Sequence, residues 1–192
     1  MKRNSLWLKL AAPLLCLTVL CSTACNASSS SSNATTTSQV PEESGKRIYL
    51  AGPMFAAMEK DFNLKITNIL EKHNYTVFLP QRDGYEAAML EGKTEQELVD
   101  MIFEKDVQEV LKADICFMNL DGRVPDEGAC VELGIAYANK KRCYGIKTDT
   151  RSVEKNMDLN PLIAACFTKI FFDYDGDVAL KMLDDYLSSN AL

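Results

Sequence analysis

From Lys46 onward, the chain alternates between two kinds of apolar pattern. Short, near-continuous apolar runs mark strands at Lys46–Ala51 (KRIYLA), Tyr75–Leu79 (YTVFL), Asp114–Leu120, Arg142–Lys147 and Thr168–Phe172. Between them, apolar positions recur at three- and four-residue spacing, the period of an amphipathic helix. Phe55, Met58, Phe62, Ile66, Ile69 and Leu70 follow that period from Phe55 to Lys72. Thr94 opens a second helix that runs to about Lys112, a third covers Gly128–Asn139, and a last one runs from about Asp175 to Leu187. Gly52-Pro53 and Pro80 end the first two strands, and Gln81–Gly92 reads as loop or short helix. Strands that alternate with helices predict a parallel sheet covered on both faces. The expected fold class is α/β, a flavodoxin-like three-layer sandwich whose five-stranded parallel sheet has the order 2-1-3-4-5. In that order the first and third strands are neighbours, and a ligand binds outside their carboxyl ends, where the chain reverses direction. The segments delivered there are Tyr49–Phe55 and Asp121–Glu132.

A few charges interrupt the apolar pattern. The run Gly128–Ala138 (GACVELGIAYA) holds a single charged side chain, Glu132. Burying an unpaired carboxylate costs several kcal/mol or raises its pKa. Glu132 is therefore either a group that caps or salt-bridges its helix from inside, or a group that does chemistry. In the helix from Thr94, Leu98, Val99, Ile102, Phe103, Val107 and Val110 define one broad apolar face, expected to be buried, with Asp106 near its middle. Asp106 is either a structural hydrogen-bond acceptor or part of a site. Asp126, six residues before Glu132, stands where an N-cap belongs, and it can equally present its carboxylate to a ligand. Tyr49 ends the first strand, where its hydroxyl either orients Glu132 or its ring simply packs in the core. Gly52 and Pro53 allow a sharp turn and close approach to the backbone. Met54 and Phe55 could face an aromatic base there, with Phe55 equally readable as a core residue of the first helix.

The amino-terminal region has a different composition. Lys2, Arg3 and Lys9 precede an uncharged apolar run, residues 10–24, that is short for a membrane span and ends in small residues before Cys25. Residues 1–24 read as a lipoprotein-type signal peptide with Cys25 as the lipidated first mature residue; an uncleaved anchor or a plain secretory signal are the alternatives. Residues 25–45 form a Ser/Thr-rich flexible tether, and residues 46–192 a single domain. The protein is expected to be exported and anchored by Cys25 to the outer face of a bacterial cytoplasmic membrane, touching the membrane only through that lipid. A net charge of −6 without a basic stripe argues against a nucleic-acid polymer as partner. Cys116, Cys130, Cys143 and Cys166 are isolated among apolar residues and read as core thiols. With His73 the one histidine, neither a metal site nor a histidine triad is expected, and no cofactor.

Three carboxylates, a tyrosine and apolar walls suit glycosidic-bond chemistry, in which one carboxylate attacks the anomeric carbon and another group handles the leaving group's proton. Taken together, Tyr49-Leu50-Ala51-Gly52-Pro53, Pro80-Gln81-Arg82-Asp83-Gly84, Asp106 and Asp126-x-Gly128-x-x-x-Glu132-Leu133-Gly134 resemble the nucleoside 2-deoxyribosyltransferase family, over essentially all of residues 46–167. The resemblance implies the flavodoxin-like fold and transfer of 2-deoxyribose between nucleobases by a ping-pong route with retention. It makes Glu132 the nucleophile, Tyr49 the residue that orients it, and Asp106 and Asp126 the acids that contact the nucleobase and manage its proton. Gly52, Met54, Phe55 and Asp83 fall in its substrate-binding segments. Asn160, in Asn160-Pro161-Leu162, matches an asparagine that reaches a neighbouring subunit's site and binds the sugar 5′-hydroxyl, which implies a homo-oligomer, dimer or hexamer. The expected partners are a small-molecule deoxynucleoside and a free nucleobase. A hydrolase of deoxynucleosides or their monophosphates, and an anchored nucleoside-binding protein without turnover, are the rival readings. Met54-Phe55-Ala56-Ala57 stands where a phosphate site would want a Ser/Gly/Arg-rich loop, which favours an unphosphorylated substrate.

Overall fold

Five short apolar strands pair in parallel, and the connections between them are helical. In chain order the elements are β1 (Arg47–Ala51), α1 (Ala57–Lys72), β2 (Thr76–Phe78), α2 (Pro80–Asp83), α3 (Ala87–Leu90), α4 (Glu95–Lys112), β3 (Ile115–Asn119), α5 (Glu127–Ala138), β4 (Arg142–Lys147), α6 (Pro161–Ala164), β5 (Lys169–Phe172) and α7 (Gly176–Leu187). The computed structural model describes residues 45–151 and 157–192. The signal segment 1–24, Cys25 and the tether as far as residue 44 lie outside the described residues. The sheet order is β2-β1-β3-β4-β5, all parallel, as the alternation of patterns predicts.

The register settles which residues share a face. Tyr49 lies opposite Phe78 on β2 and Cys116 on β3, and Cys116 lies opposite Cys143 on β4. That row belongs to the core beneath α4 and α5, with Ala129, Leu133 and Ala136 of α5 packed on it. Ile48, Leu50, Phe117 and Phe171 face the other way, into the core beneath α1 and α7. Each such fully buried large side chain contributes roughly 1.5–3 kcal/mol relative to exposure. Two cores on opposite faces of one sheet hold β1 and β3 fixed at its centre. Cys116 and Cys143 are buried free thiols, and Cys130 and Cys166 are half-buried ones.

The helices begin where the sequence places caps. Thr94 accepts from the Glu97 N–H at 3.3 Å while the Glu97 carboxylate accepts from the Thr94 N–H at 2.8 Å, a reciprocal capping box. Two expectations about burial fail. Phe55 and Met58 are not core residues: they are 79% and 82% exposed, because α1 starts only at Ala57 and its first turn lies before the helix meets the sheet. The apolar face of α4 is not buried along its length either. Val99, Ile102 and Phe103 are 55%, 43% and 61% exposed, and Val110 alone in that helix is buried. Helix α4 has 18 residues, about 27 Å at helical rise, whereas β1 has five, about 17 Å. The helix outruns the sheet it packs on, and its first turns border a cavity beside α5 with Leu98 only part-buried. The four-residue α6 leaves no mark in the apolar pattern, since one helical turn shows no periodicity.

Candidate active site

Tyr49 is fully buried in β1, with its ring stacked on Phe78 at 5.6 Å between centroids. Its hydroxyl donates to Glu132 Oε1 at 2.6 Å. Glu132 comes from α5, whose small apolar residues let the helix sit close on β3 and β4. Asp126 caps that helix: its Oδ2 accepts from the Ala129 N–H at 2.9 Å. Gly128 leaves room for the cap, since a Cβ there would stand 3.2 Å from the Asp126 carboxylate. At the end of β1, a Cβ on Gly52 would stand 2.8 Å from the Asn119 Cβ, so only a bare backbone passes the end of β3 at that distance. The turn then delivers Met54 and Phe55 to the carboxyl edge of the sheet.

The charges of this cluster act on one another. The Glu132 carboxyl is pushed up to about 7 by burial, with the Tyr49 hydrogen bond opposing and the charges of Asp106 and Asp126 adding to the rise. Burial also raises Asp106, against the Lys105 ammonium and the Tyr49 hydroxyl, which pull it down. Tyr49 itself is held far above the ordinary phenol range, by burial first and by Glu132 next, so it stays a donor. One hydroxyl proton therefore faces two carboxylates that repel each other. Burial thus favours the protonated form of both carboxyls, and the Tyr49 hydroxyl favours their ionised forms.

Asp106 marks the boundary between two cavities. One, about 370 Å³, lies between α4 and the turn after β1, with Met54, Phe55, Gln81, Tyr85 and Lys105 among its walls. The other, about 550 Å³, runs along the apolar faces of α4 and α5 and reaches Glu132 and Gly128. Asp106 and Ile102 line both. A flat aromatic ring held among Met54, Phe55 and Tyr85 would thus meet Asp106, and a group attached to it would extend toward Glu132.

The predicted residues divide accordingly. Tyr49, Glu132, Asp106 and Asp126 come together, Met54 and Phe55 line the adjoining cavity, and Gly52 shapes the turn that carries them. Asp83 has a different position: its carboxylate accepts from the Leu79 N–H at 2.8 Å and pairs with Arg82 at 2.9 Å. Despite partial burial, those two bonds hold it below the usual carboxylate range. Asn160 caps α6 by accepting from the Leu162 N–H at 2.9 Å, and it lines neither cavity. Tyr85 and Lys105 are wall residues that the sequence pattern does not single out, and Gln81 is a wall residue quoted there only as part of a motif. A usable signal exists, because β2 neighbours β1 in the inferred order and the loop after it must reach the same edge.

A family model described as nucleoside 2-deoxyribosyltransferase matches residues 48–177, which include the whole tyrosine and carboxylate cluster. The chain belongs to the nucleoside 2-deoxyribosyltransferase family. It is accordingly an enzyme of the class that acts on N-glycosidic bonds. Among solved structures, it is similar to the 2-deoxyribosyltransferase of the psychrotolerant bacterium Bacillus psychrosaccharolyticus, with 23% identity, a TM-score of 0.57, and coverage of 73% of this chain and 91% of that one. A conserved protein from Enterococcus faecalis V583 has 20% identity and a TM-score of 0.59, covering 73% and 98%. A 2-deoxyribosyltransferase from Leishmania mexicana has 18% identity and a TM-score of 0.52, covering 76% and 99%. At these identities the likenesses establish the deoxyribosyltransferase-type fold. No curated protein matches the chain by sequence.

Proposed function

We propose that the protein exchanges the base of a free 2-deoxynucleoside through a covalent deoxyribosyl ester on Glu132. The observation that carries this reading is the Tyr49–Glu132 hydrogen bond of 2.6 Å beside Asp106, at the junction of an aromatic-walled cavity and a second cavity reaching Glu132. The ionised Glu132 attacks C1′ of the sugar. The C1′–N bond breaks, its electrons leave with the base, and Asp106 gives the base a proton. A second base then attacks C1′, the ester bond breaks to free Glu132, and the incoming base returns its proton to Asp106. Two inversions give net retention. Asp126, fixed at the α5 terminus, adds negative potential that favours the positive charge developing on the sugar.

An unphosphorylated substrate fits the charges. Around the Glu132 side, the cavity carries Glu95, Asp106 and Glu132 and no lysine or arginine among its described lining residues, so a phosphate there would be repelled. Incubation of the purified protein with deoxyadenosine and a second base tests the reaction. Exchanged nucleoside is the expected product. Free deoxyribose with no exchange would make water the acceptor, and the absence of both products would overturn the catalytic reading.

The exposed stripe Val99, Ile102, Phe103 and Val131 runs along the mouth of the Glu132 cavity. We infer that a second copy of the chain covers it, which would close the cavity and give the homo-oligomer in which Asn160 could reach a neighbouring site. Phe103→Glu, which puts a charge into that stripe, is expected to yield a smaller species in sedimentation and a weaker KM for nucleoside. An unchanged sedimentation coefficient would remove the interface. The apolar run before Cys25 supports export and lipid anchoring at that residue, which the mass of the mature amino terminus reports.

A further inference from the structure

Lys105 precedes Asp106 on α4 and makes contacts that no step above uses. Its ammonium donates to the Asp83 carbonyl oxygen at 2.9 Å and lies 4.5 Å from the centre of the Tyr85 ring and 5.9 Å from that of Phe78. Among the described residues no carboxylate comes within ion-pair distance of it. The segment it touches, Gly84–Lys93, forms one wall of the aromatic cavity through Gly84, Tyr85 and Leu90. That segment is otherwise loosely held. Its own hydrogen bonds are local, Gly84 to Pro80, Met89 to Glu86 and Lys93 to Leu90, and α3 within it buries no residue.

We propose that Lys105 is a positioning residue for the reaction, latching the Gly84–Lys93 segment over the base cavity and setting a positive charge beside Asp106. The proposal rests on reading this centre as a deoxyribosyl-transfer site. A cation between a carbonyl and the face of a ring is held on two sides, so Tyr85 is fixed without freezing the whole loop. The same ammonium adjoins the acid of the pair. The groups facing Asp106 are the Tyr49 hydroxyl from β1, Glu132 from α5 and Lys105 on its own helix. Lys105 is the cation that lowers Asp106, and Lys60 of α1 is the other cation lining the same cavity. Removing Lys105 takes away a charge that favours the ionised Asp106 carboxylate, so Asp106 holds its proton to higher pH.

Lys105→Met and Lys105→Arg, compared with the unaltered protein, test this in two ways. In Lys105→Met, the amides of residues 84–93 should exchange with deuterium several-fold faster. The KM for base should rise about ten-fold while kcat changes less, and the basic limb of the pH–rate profile, which Asp106 sets, should move upward. Lys105→Arg keeps the charge and should restore that limb and most of the KM. Unchanged amide exchange in Lys105→Met would overturn the latch whether or not the protein is active. Faster exchange in Lys105→Met with KM and the basic limb unmoved would overturn the role in the reaction while the parent reading stands. An unaltered protein that exchanges no base would instead sink the parent reading and, with it, any role for Lys105 in that reaction.

Discussion

Replacing Glu132 by Gln is expected to abolish base exchange and, above neutral pH, to make the protein more stable. Removing a covalent nucleophile costs on the order of a thousand-fold or more in rate, because no other group can form the ester. The stability gain follows from the carboxyl's position. Its ordinary value of 4.5 in the unfolded chain rises to about 7 in the fold. Because the folded value is the higher one, the fold carries no penalty from this group below about pH 4.5, a growing one between 4.5 and about 7, and a constant one above. An amide of the same shape never ionises and still accepts from Tyr49. The gain should be on the order of 2–3 kcal/mol above pH 7 and vanish near pH 4. Thermal melts of both proteins at pH 4 and pH 8, beside the exchange assay, check both halves. A Glu132→Gln protein that still exchanges bases would end the mechanism, and equal melting temperatures at pH 8 would mean the carboxylate is not strained as described.

That conflict between stability and function is what makes Glu132 conspicuous in the amino-acid sequence. A lone charge in a small-residue apolar run breaks a pattern that otherwise specifies burial, and the proposed reaction gives the break a use. The sheet is legible for a similar reason: apolar runs of strand length alternate with helical periodicity, and parallel pairing follows. Burial along α4 is not. Periodicity reports which residues share a face, and cannot report how much of that face the chain's own sheet covers. Val99, Ile102 and Phe103 have the right spacing and still face outward. The walls supplied by Tyr85 and Lys105 are hard to read for another reason. They come from the stretch between β2 and the middle of α4, where short elements show no period and only the strand order places the loop. Asp83 is a different case, because a motif position says nothing of where a carboxylate points, and this one is tied to Leu79 and Arg82.

Tyr49→Phe should leave the fold intact and move the activity to higher pH. The ring keeps its stacking on Phe78 and its place in the core, so only the hydroxyl is lost. That hydroxyl is the one hydrogen-bond donor to Glu132 among the described residues, and it opposes the rise of both Glu132 and Asp106. Without it, the ionised nucleophile loses a charge-assisted bond worth about 1.5–3 kcal/mol, and its pKa climbs further above 7. At pH 7 a smaller fraction of the protein carries ionised Glu132, and that fraction is no longer aimed at C1′. The rate at pH 7 should fall roughly ten- to a hundred-fold. Raising the pH restores ionisation, so part of the loss should be recovered at about pH 8–9, with the acid limb displaced upward. Glu132→Gln has nothing to ionise and should recover nothing. A pH–rate profile of Tyr49→Phe that is lowered uniformly, with its limbs where the unaltered protein has them, would mean that Tyr49 supports the site only by packing.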